Sequence, residues 1–300
     1  MNYITMAAEG DVIEYLYTAE DPDVIVPRDA IHVIVANSAT VIWFAAFREH
    51  PKIATLFCPV GVETIEDGAF FQCRCLRRVI MLGVREIETA AFGGCEALTD
   101  IECGKLEIIG RKAFFECKSL RIIDLSAAKI IQWHAFQRCS ALMDVKFGKE
   151  LETIGYGAFN NCTSLQRITI PLKDNMIADD NIFDGCDNLK HVDLVEGAIL
   201  KETITALQLE GWRNDMNAEI DAINQILPLA PAGMSKGSKG RMIRTWIRAV
   251  VGKIVHYKIQ HSRLLNEAAT ALELAIPKDI VIKNVLPFLE LPSYAFEGEE

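Results

Sequence analysis

Ala69-Phe70-Phe71-Gln72-Cys73-Arg74-Cys75-Leu76-Arg77-Arg78-Val79 carries the pattern Ala-Phe-x-x-Cys-x-x-Leu-x-x-Val, and close copies of it run down the middle of the chain. They stand at Ala91-Phe92 with Cys95, Ala113-Phe114 with Cys117, Ala135-Phe136 with Cys139, and Ala158-Phe159 with Cys162. A worn copy follows at Ile182-Phe183 with Cys186, and an earlier one lies at Ala46-Phe47, with His50 in the cysteine column and Ile53 and Leu56 after it. From Phe70 onward the phenylalanines step by 22, 22, 22, 23 and 24 residues. A fixed period of that size marks a solenoid, because one unit cannot bury both its faces and must stack on its neighbours.

Each unit reads as one circuit. Leu98-Thr-Asp-Ile-Glu-Cys103 alternates like a short strand, with Leu98, Ile101 and Cys103 inward and Asp100 and Glu102 outward. A turn, a second apolar pair such as Leu106 and Ile109, and the Ala-Phe-x-x-Cys segment as a helical turn or short helix complete it. Eight rungs are expected, beginning near Ile31, Ile53, Leu76, Leu98, Leu120, Leu142, Leu165 and Leu189. In the first of them Ile31, Ile34 and Ala36 are placed inward, which turns Val33 and Val35 outward. The structural core is then Phe70, Cys73, Phe92, Cys95, Phe114, Cys117, Phe136, Cys139, Phe159 and Cys162.

The fullest unit holds Leu151, Ile154, Gly155, Ala158, Phe159, Cys162, Leu165, Ile168, Ile170 and Pro171. In this it resembles the BspA-like leucine-rich repeats over residues 31–195, with seven successive units in phase. The resemblance implies an α/β repeat fold: a right-handed leucine-rich-repeat solenoid with a parallel sheet on one face; the C-terminal helical region expected after it lies outside the resemblance. It also implies a module for adhesion or protein binding with no catalytic residues to carry over.

Three hundred residues, half of them hydrophobic, suffice for a large core. A net charge of −10 argues against a chain that coats nucleic acid as a whole. The first twenty residues carry Glu9, Asp11 and Glu14 and no apolar run of signal-peptide length, and no stretch has the roughly 18 apolar residues of a membrane span, so a cytoplasmic location is expected. Six of nine cysteines form the repeat column and read as reduced packing residues. Strung along a ladder at about 4.8 Å per rung, they do not converge on a point as metal ligands must. Cys75, outside the column, is the thiol expected to be reachable. His32, His134 and His191 show no spacing that suggests a nucleophile and base. No enzyme activity, cofactor or metal is expected.

The expected layout is an N-terminal cap over 1–30, with edge strands at Val12–Tyr17 and Val24–Val26. The solenoid over 31–195 and a helical cap over 196–228 follow. A linker over 229–240, a long basic helix over 241–276 and an extended acidic tail over 277–300 complete it. In the linker, Ser238 stands where a phosphate loop starting at Gly233 would need its second glycine. From Ser235 to Arg263 there are eight Lys or Arg and no acid, so removing them leaves −18 on the rest of the chain. The apolar stripe Ile243, Ile247, Val250, Ile254, Tyr257, His261, Leu264, Ala268 and Leu272 recurs at helical steps.

The outward strand positions offer a binding platform. Asp100, Glu102, Asp124 and Asp144 are expected to dock a basic segment of an unidentified protein, with Phe57 and Ile80 as an apolar neighbour. A solvated acidic face is the plain alternative. For the basic helix, with Arg241, Arg244, Trp246, Arg248, Lys253, Lys258 and Arg263, three readings stand in order. It packs on acidic protein or pairs with itself as a coiled coil; it binds an anionic lipid surface or nucleic acid; or it serves as a calmodulin-type target. The reading adopted is a non-catalytic interaction scaffold, with a membrane-surface or nucleic-acid binder as the alternative.

Overall fold

A computed structural model describes residues 14–21, 25–173, 176–195 and 237–275, together with Asn214 and Ala218. Apart from Asn214 and Ala218, the expected cap over 196–228 lies outside the described residues, as do the tail over 277–300 and most of the linker.

The 22–24-residue period becomes one turn of a solenoid with three sides. The first side carries β1 (Glu14–Tyr17), β2 (His32–Val35), β4 (Thr55–Cys58), β6 (Arg78–Met81), β8 (Asp100–Glu102), β10 (Ile122–Leu125), β12 (Asp144–Phe147), β14 (Arg167–Pro171) and β15 (His191–Val195). The second carries the two-residue strands β3 (Val41–Ile42), β5 (Thr64–Ile65), β7 (Glu86–Ile87), β9 (Ile108–Ile109), β11 (Ile130–Ile131) and β13 (Thr153–Ile154). All pairings are parallel and join equivalent positions of successive units, as in Leu56 to Val79 to Ile101. Because register equals repeat phase, every inward column stacks equivalent positions of successive repeats on one another.

On the third side the Ala-Phe segments form turns, not the helical turn or short helix expected; among the described residues a 3-10 helix occurs only in the last unit, at Asp180–Phe183. The reason is backbone handedness. From Phe47 to Phe159 the residues two before and two after each phenylalanine are left-handed, as at Ala90 (φ 53°) and Gly94 (φ 75°), or Lys112 (φ 56°) and Glu116 (φ 57°), whereas at Phe183 only Gly185 (φ 71°) is. Left-handed residues cannot continue a right-handed helix. They turn the peptide groups along the solenoid axis instead, so that Phe70 N–H donates to Ala91 O at 2.7 Å and Gln72 N–H to Gly93 O at 2.7 Å. The turns therefore form a third inter-rung ladder.

Inside that ladder the rings stack. Phe47, Phe70, Phe92, Phe114, Phe136 and Phe159 follow one another at 4.8–5.4 Å with interplanar angles of 8° or less. Phe183 is looser, at 5.9 Å and 16° from Phe159. Each column thiol donates to the carbonyl of the preceding unit's phenylalanine, from Cys73 Sγ to Phe47 O at 2.9 Å through Cys186 Sγ to Phe159 O at 3.0 Å. His50 takes the same place in the first unit, its Nε2 lying 2.7 Å from Pro27 O.

Both ends are covered. Tyr17 tilts over Phe47, with centroids 5.2 Å apart, and its hydroxyl accepts from Trp43 N–H at 3.0 Å. The strand expected at Val24–Val26 is absent from Ile25 and Val26, which lie in irregular chain before Pro27. At the other end, helix α1 (Ser238–Ala275) buries Ile243, Ile247 and Val250 on the core. It starts three residues before Arg241, so the end of the expected linker is helical. Gly240 lies so close to the Asp180 carbonyl that a Cβ there would come within 2.3 Å of the oxygen.

The first rung corrects the sequence expectation. Val33 and Val35 are buried, while His32 and Ile34 are half-exposed. Ala30, not Ile31, fills the leucine column, and a one-residue slip moves every side chain to the other face.

Candidate interaction face

Two outward columns line the long-strand side. One runs His32, Thr55, Arg78, Asp100, Ile122, Asp144, Arg167, His191; the other runs Ile34, Phe57, Ile80, Glu102, Asp124, Lys146, Thr169, Asp193. The second column thus opens with three apolar residues on consecutive rungs and passes into two acids. Phe57 is 46% exposed. Ile122 and Met143 add exposed apolar surface among the acids.

The four acids expected to dock a partner differ in their surroundings. Arg78 reaches Asp100 Oδ2 at 3.4 Å and Glu102 Oε1 at 2.5 Å, so that pair is already partly neutralised. Asp124 Oδ1 accepts from Ser126 N–H at 2.9 Å. Asp144 sits in register between Ile122 and Arg167, and Arg167 turns to Asp193 at 2.8 Å. The acidic character is therefore concentrated at Asp124 and Asp144.

Between β8 and β10 the hydrogen-bonded sheet is interrupted, although the short-strand sheet runs on unbroken through β7, β9 and β11. Contact persists at the break, where Cys103 Sγ donates to Asp124 O at 3.3 Å. Glu102 and Asp124 occupy facing positions across it, and both ion pairs of Arg78 lie on its β6 side. Like charges opposed on neighbouring strands disfavour close pairing. Ile101 and Cys103 are correspondingly less sealed than the core around them, at 9% and 8% exposure.

Sequence reasoning missed a second set of polar contacts. Glu66, Glu88 and Gln132 occupy the position four before the stacked phenylalanine. Their side chains accept from the amides of Phe44 at 2.7 Å, Asp67 at 3.1 Å and Arg111 at 3.1 Å, each in the preceding unit. Burial raises the Glu88 carboxyl. The recurring Glu/Gln before the Ala-Phe pair was the available signal.

The basic segment meets the solenoid at its end. Arg241 Nε reaches Asp180 Oδ2 at 3.0 Å, and Arg244 binds the other oxygen of the same carboxylate. Lys239 Nζ donates to the carbonyls of Cys186 at 2.5 Å, Asp187 at 3.2 Å and Leu189 at 3.4 Å. Burial holds its ammonium below the usual lysine range. Trp246 is partly buried against the core, whereas Arg248, Lys253 and Arg263 are exposed. Lys258 lies in the helix with its side chain outside the described set. At least Lys239, Arg241 and Arg244 are thus engaged within the molecule, which weighs against reading the segment as a dedicated surface for lipid or nucleic acid.

Cys75 is exposed and the other eight cysteines are buried, all nine as free thiols. Among the described residues no group of three or more His, Cys, Asp or Glu is placed to hold a metal ion, and no helix is long and apolar enough to cross a membrane.

Comparison with known proteins agrees with this architecture. The sequence matches the BspA type leucine rich repeat region in six copies, over residues 30–129 and 107–204. No curated protein matches it. Among solved structures it is similar to a leucine-rich repeat protein from Bacteroides ovatus, at 20% identity and a TM-score of 0.40, covering 57% of this chain and 53% of that one. The chain thus spans about half the length of that protein. It is also similar to the T. pallidum leucine rich repeat protein, at 24% identity and a TM-score of 0.40, covering 62% and 92% respectively. A leucine rich cell surface protein from Faecalibacterium prausnitzii matches at 16% identity and a TM-score of 0.30, over 58% and 76%. With more than half of its length matched by the repeat, the chain belongs to the BspA-type leucine-rich repeat family.

Proposed function

We propose that this protein is a non-catalytic interaction module whose long-strand side receives a segment of another protein. The observation that carries this reading is the column Ile34, Phe57, Ile80 and Glu102, in register through β8, with Asp124 at the equivalent repeat position across the break. It presents an apolar strip beside an acidic one on stacked rungs that the short-strand sheet and the turn ladder hold together across the break between β8 and β10. Such a face suits a segment with bulky apolar side chains at one end and Lys or Arg at the other, the basic end reaching Asp124 and Asp144. The apolar part supplies affinity by burial, and the acids supply orientation and encounter rate.

Affinity purification with the full chain, Phe57→Asp, and the pair Asp124→Lys with Asp144→Lys tests it. The first variant should lose the partner, and the second should weaken capture about tenfold or more, most strongly at low salt. An unchanged partner set with both variants contradicts the assignment of this face.

A further inference from the structure

The corner between the short-strand sheet and the Ala-Phe turn carries a strip of side chains distant from the long-strand face. The residue three before each stacked phenylalanine is Phe44, Asp67, Thr89, Arg111, Trp133 or Tyr156. Register is locked there, because Lys112 N–H donates to Trp133 O at 3.0 Å and His134 N–H to Tyr156 O at 3.0 Å. Arg111, Trp133 and Tyr156 therefore follow one another at about the 4.8 Å spacing of parallel chains.

Trp133 is 60% exposed and Tyr156 43%. Large aromatic rings left in solvent on a rigid scaffold mark recognition surfaces, since each forgoes much burial energy. These rings are held in place. A Cβ at Gly155 would lie 2.8 Å from Trp133 Cδ1, and one at Gly157 would lie 2.7 Å from His134 Nδ1. One edge of the indole thus rests on glycine backbone while most of the ring faces solvent. His134 meets the Tyr156 ring edge-on, with centroids 5.1 Å apart at 89°.

The charge beside this platform is positive. Arg111 is exposed and makes no ion pair among the described residues, unlike Arg78, Arg85, Arg138 and Arg167 of the same solenoid. Lys112 stands 5.6 Å from the Phe115 ring. Burial, and then the charges of Lys112 and Arg111, hold the His134 imidazole below its usual range. A suitable ligand combines a flat apolar face with one negative group. A net charge of −10 disfavours an extended polyanion such as nucleic acid. A sugar ring bearing a carboxylate has the required form, its C–H face lying on the indole and its carboxylate in the guanidinium fork.

We propose that Trp133, Tyr156 and Arg111 form a binding site for a carboxylated saccharide unit, with the ring on Trp133 and the carboxylate on Arg111. Calorimetric titration of the full chain with a hyaluronan hexasaccharide, which carries uronates, and with neutral cellohexaose tests it. The uronate probe should bind, and the neutral one should bind about tenfold more weakly for want of the charge-assisted contact. Trp133→Ala and Arg111→Ala should each weaken the uronate probe about tenfold or more. Both side chains are solvent-exposed, so both variants should keep the parent melting temperature, and Trp133→Phe should restore part of the binding. The proposal is overturned if the uronate probe fails to bind or binds the variants as it binds the parent. Equal or tighter binding of cellohexaose, a single-stranded oligonucleotide or a proline-rich peptide at Trp133 overturns it too.

Discussion

Cys117 shows how a single side chain serves the repeat. Small enough for a column one rung apart, it donates through Sγ to Phe92 O at 3.2 Å, leaving no buried donor unpaired. Burial pushes Cys58, Cys73 and Cys103 from 9.0 up to about 12, and raises Cys95, Cys117 and Cys162 well above 9.0. The unfolded chain therefore releases thiol protons at a pH where the folded chain retains them. Thiol-linked stability is complete below about pH 9 and declines as pH rises toward 12. Urea titrations at pH 7.5 and pH 10 should show a lower midpoint at pH 10, with a shallower drop in Cys95→Ala/Cys117→Ala; an equal drop would remove the thiols as its cause. With an Ellman-type reagent on the native protein only Cys75 should react quickly, and all nine thiols should react after denaturation. Ala90 offers a backbone test, since its φ of 53° is strained for alanine and free for glycine. Ala90→Gly should raise stability by about 1 kcal/mol, and a loss would contradict the left-handed assignment.

At the scale of elements, the ring stack and the end contact set the local energetics. Phe114 has a parallel ring on each side, so Phe114→Ala should cost about 3–5 kcal/mol in chemical unfolding. Among the described residues Phe183 has a stacked ring on one side only, at the longer distance of 5.9 Å, and Phe183→Ala should cost less; the reverse order would contradict the stack as the main support. Lys239→Ala removes a half-buried cation from three carbonyls and should destabilise the C-terminal end by about 1 kcal/mol, read as faster amide exchange in β15 and the 3-10 helix Asp180–Phe183. The interruption between β8 and β10 belongs to this scale as well. Asp124→Asn removes one of two opposed carboxylates and should slow amide exchange on both strands.

Across the whole molecule, the period and the phase were legible because one turn needs a set number of residues and each turn buries the same columns. From Ile53 onward the alternation of apolar and polar positions identified the outward residues. In Ile31-His32-Val33-Ile34-Val35 that alternation is lost, and the placement of Ala30 in the leucine column settles the register, a tertiary fact. The left-handed turns were hidden because Ala90, Lys112, His134 and Arg138 hold a conformation that glycine usually announces. The docking of α1 was hidden for another reason: Arg241 and Arg244 meet Asp180 across 61 and 64 residues of sequence, beyond any local pattern. The acids of the candidate face were readable as a group, but Arg78's hold on two of them required the rungs in place. The central claim is that binding occurs on the long-strand side. It is tested most directly by placing a photo-crosslinking residue at Phe57, Ile122 or Asp124, and for comparison at Arg74 or Glu96 on the turn side, and identifying the adducts by mass spectrometry. The account predicts one shared protein adduct from the first three positions and none from the other two; the same protein captured only from Arg74 or Glu96 would contradict it.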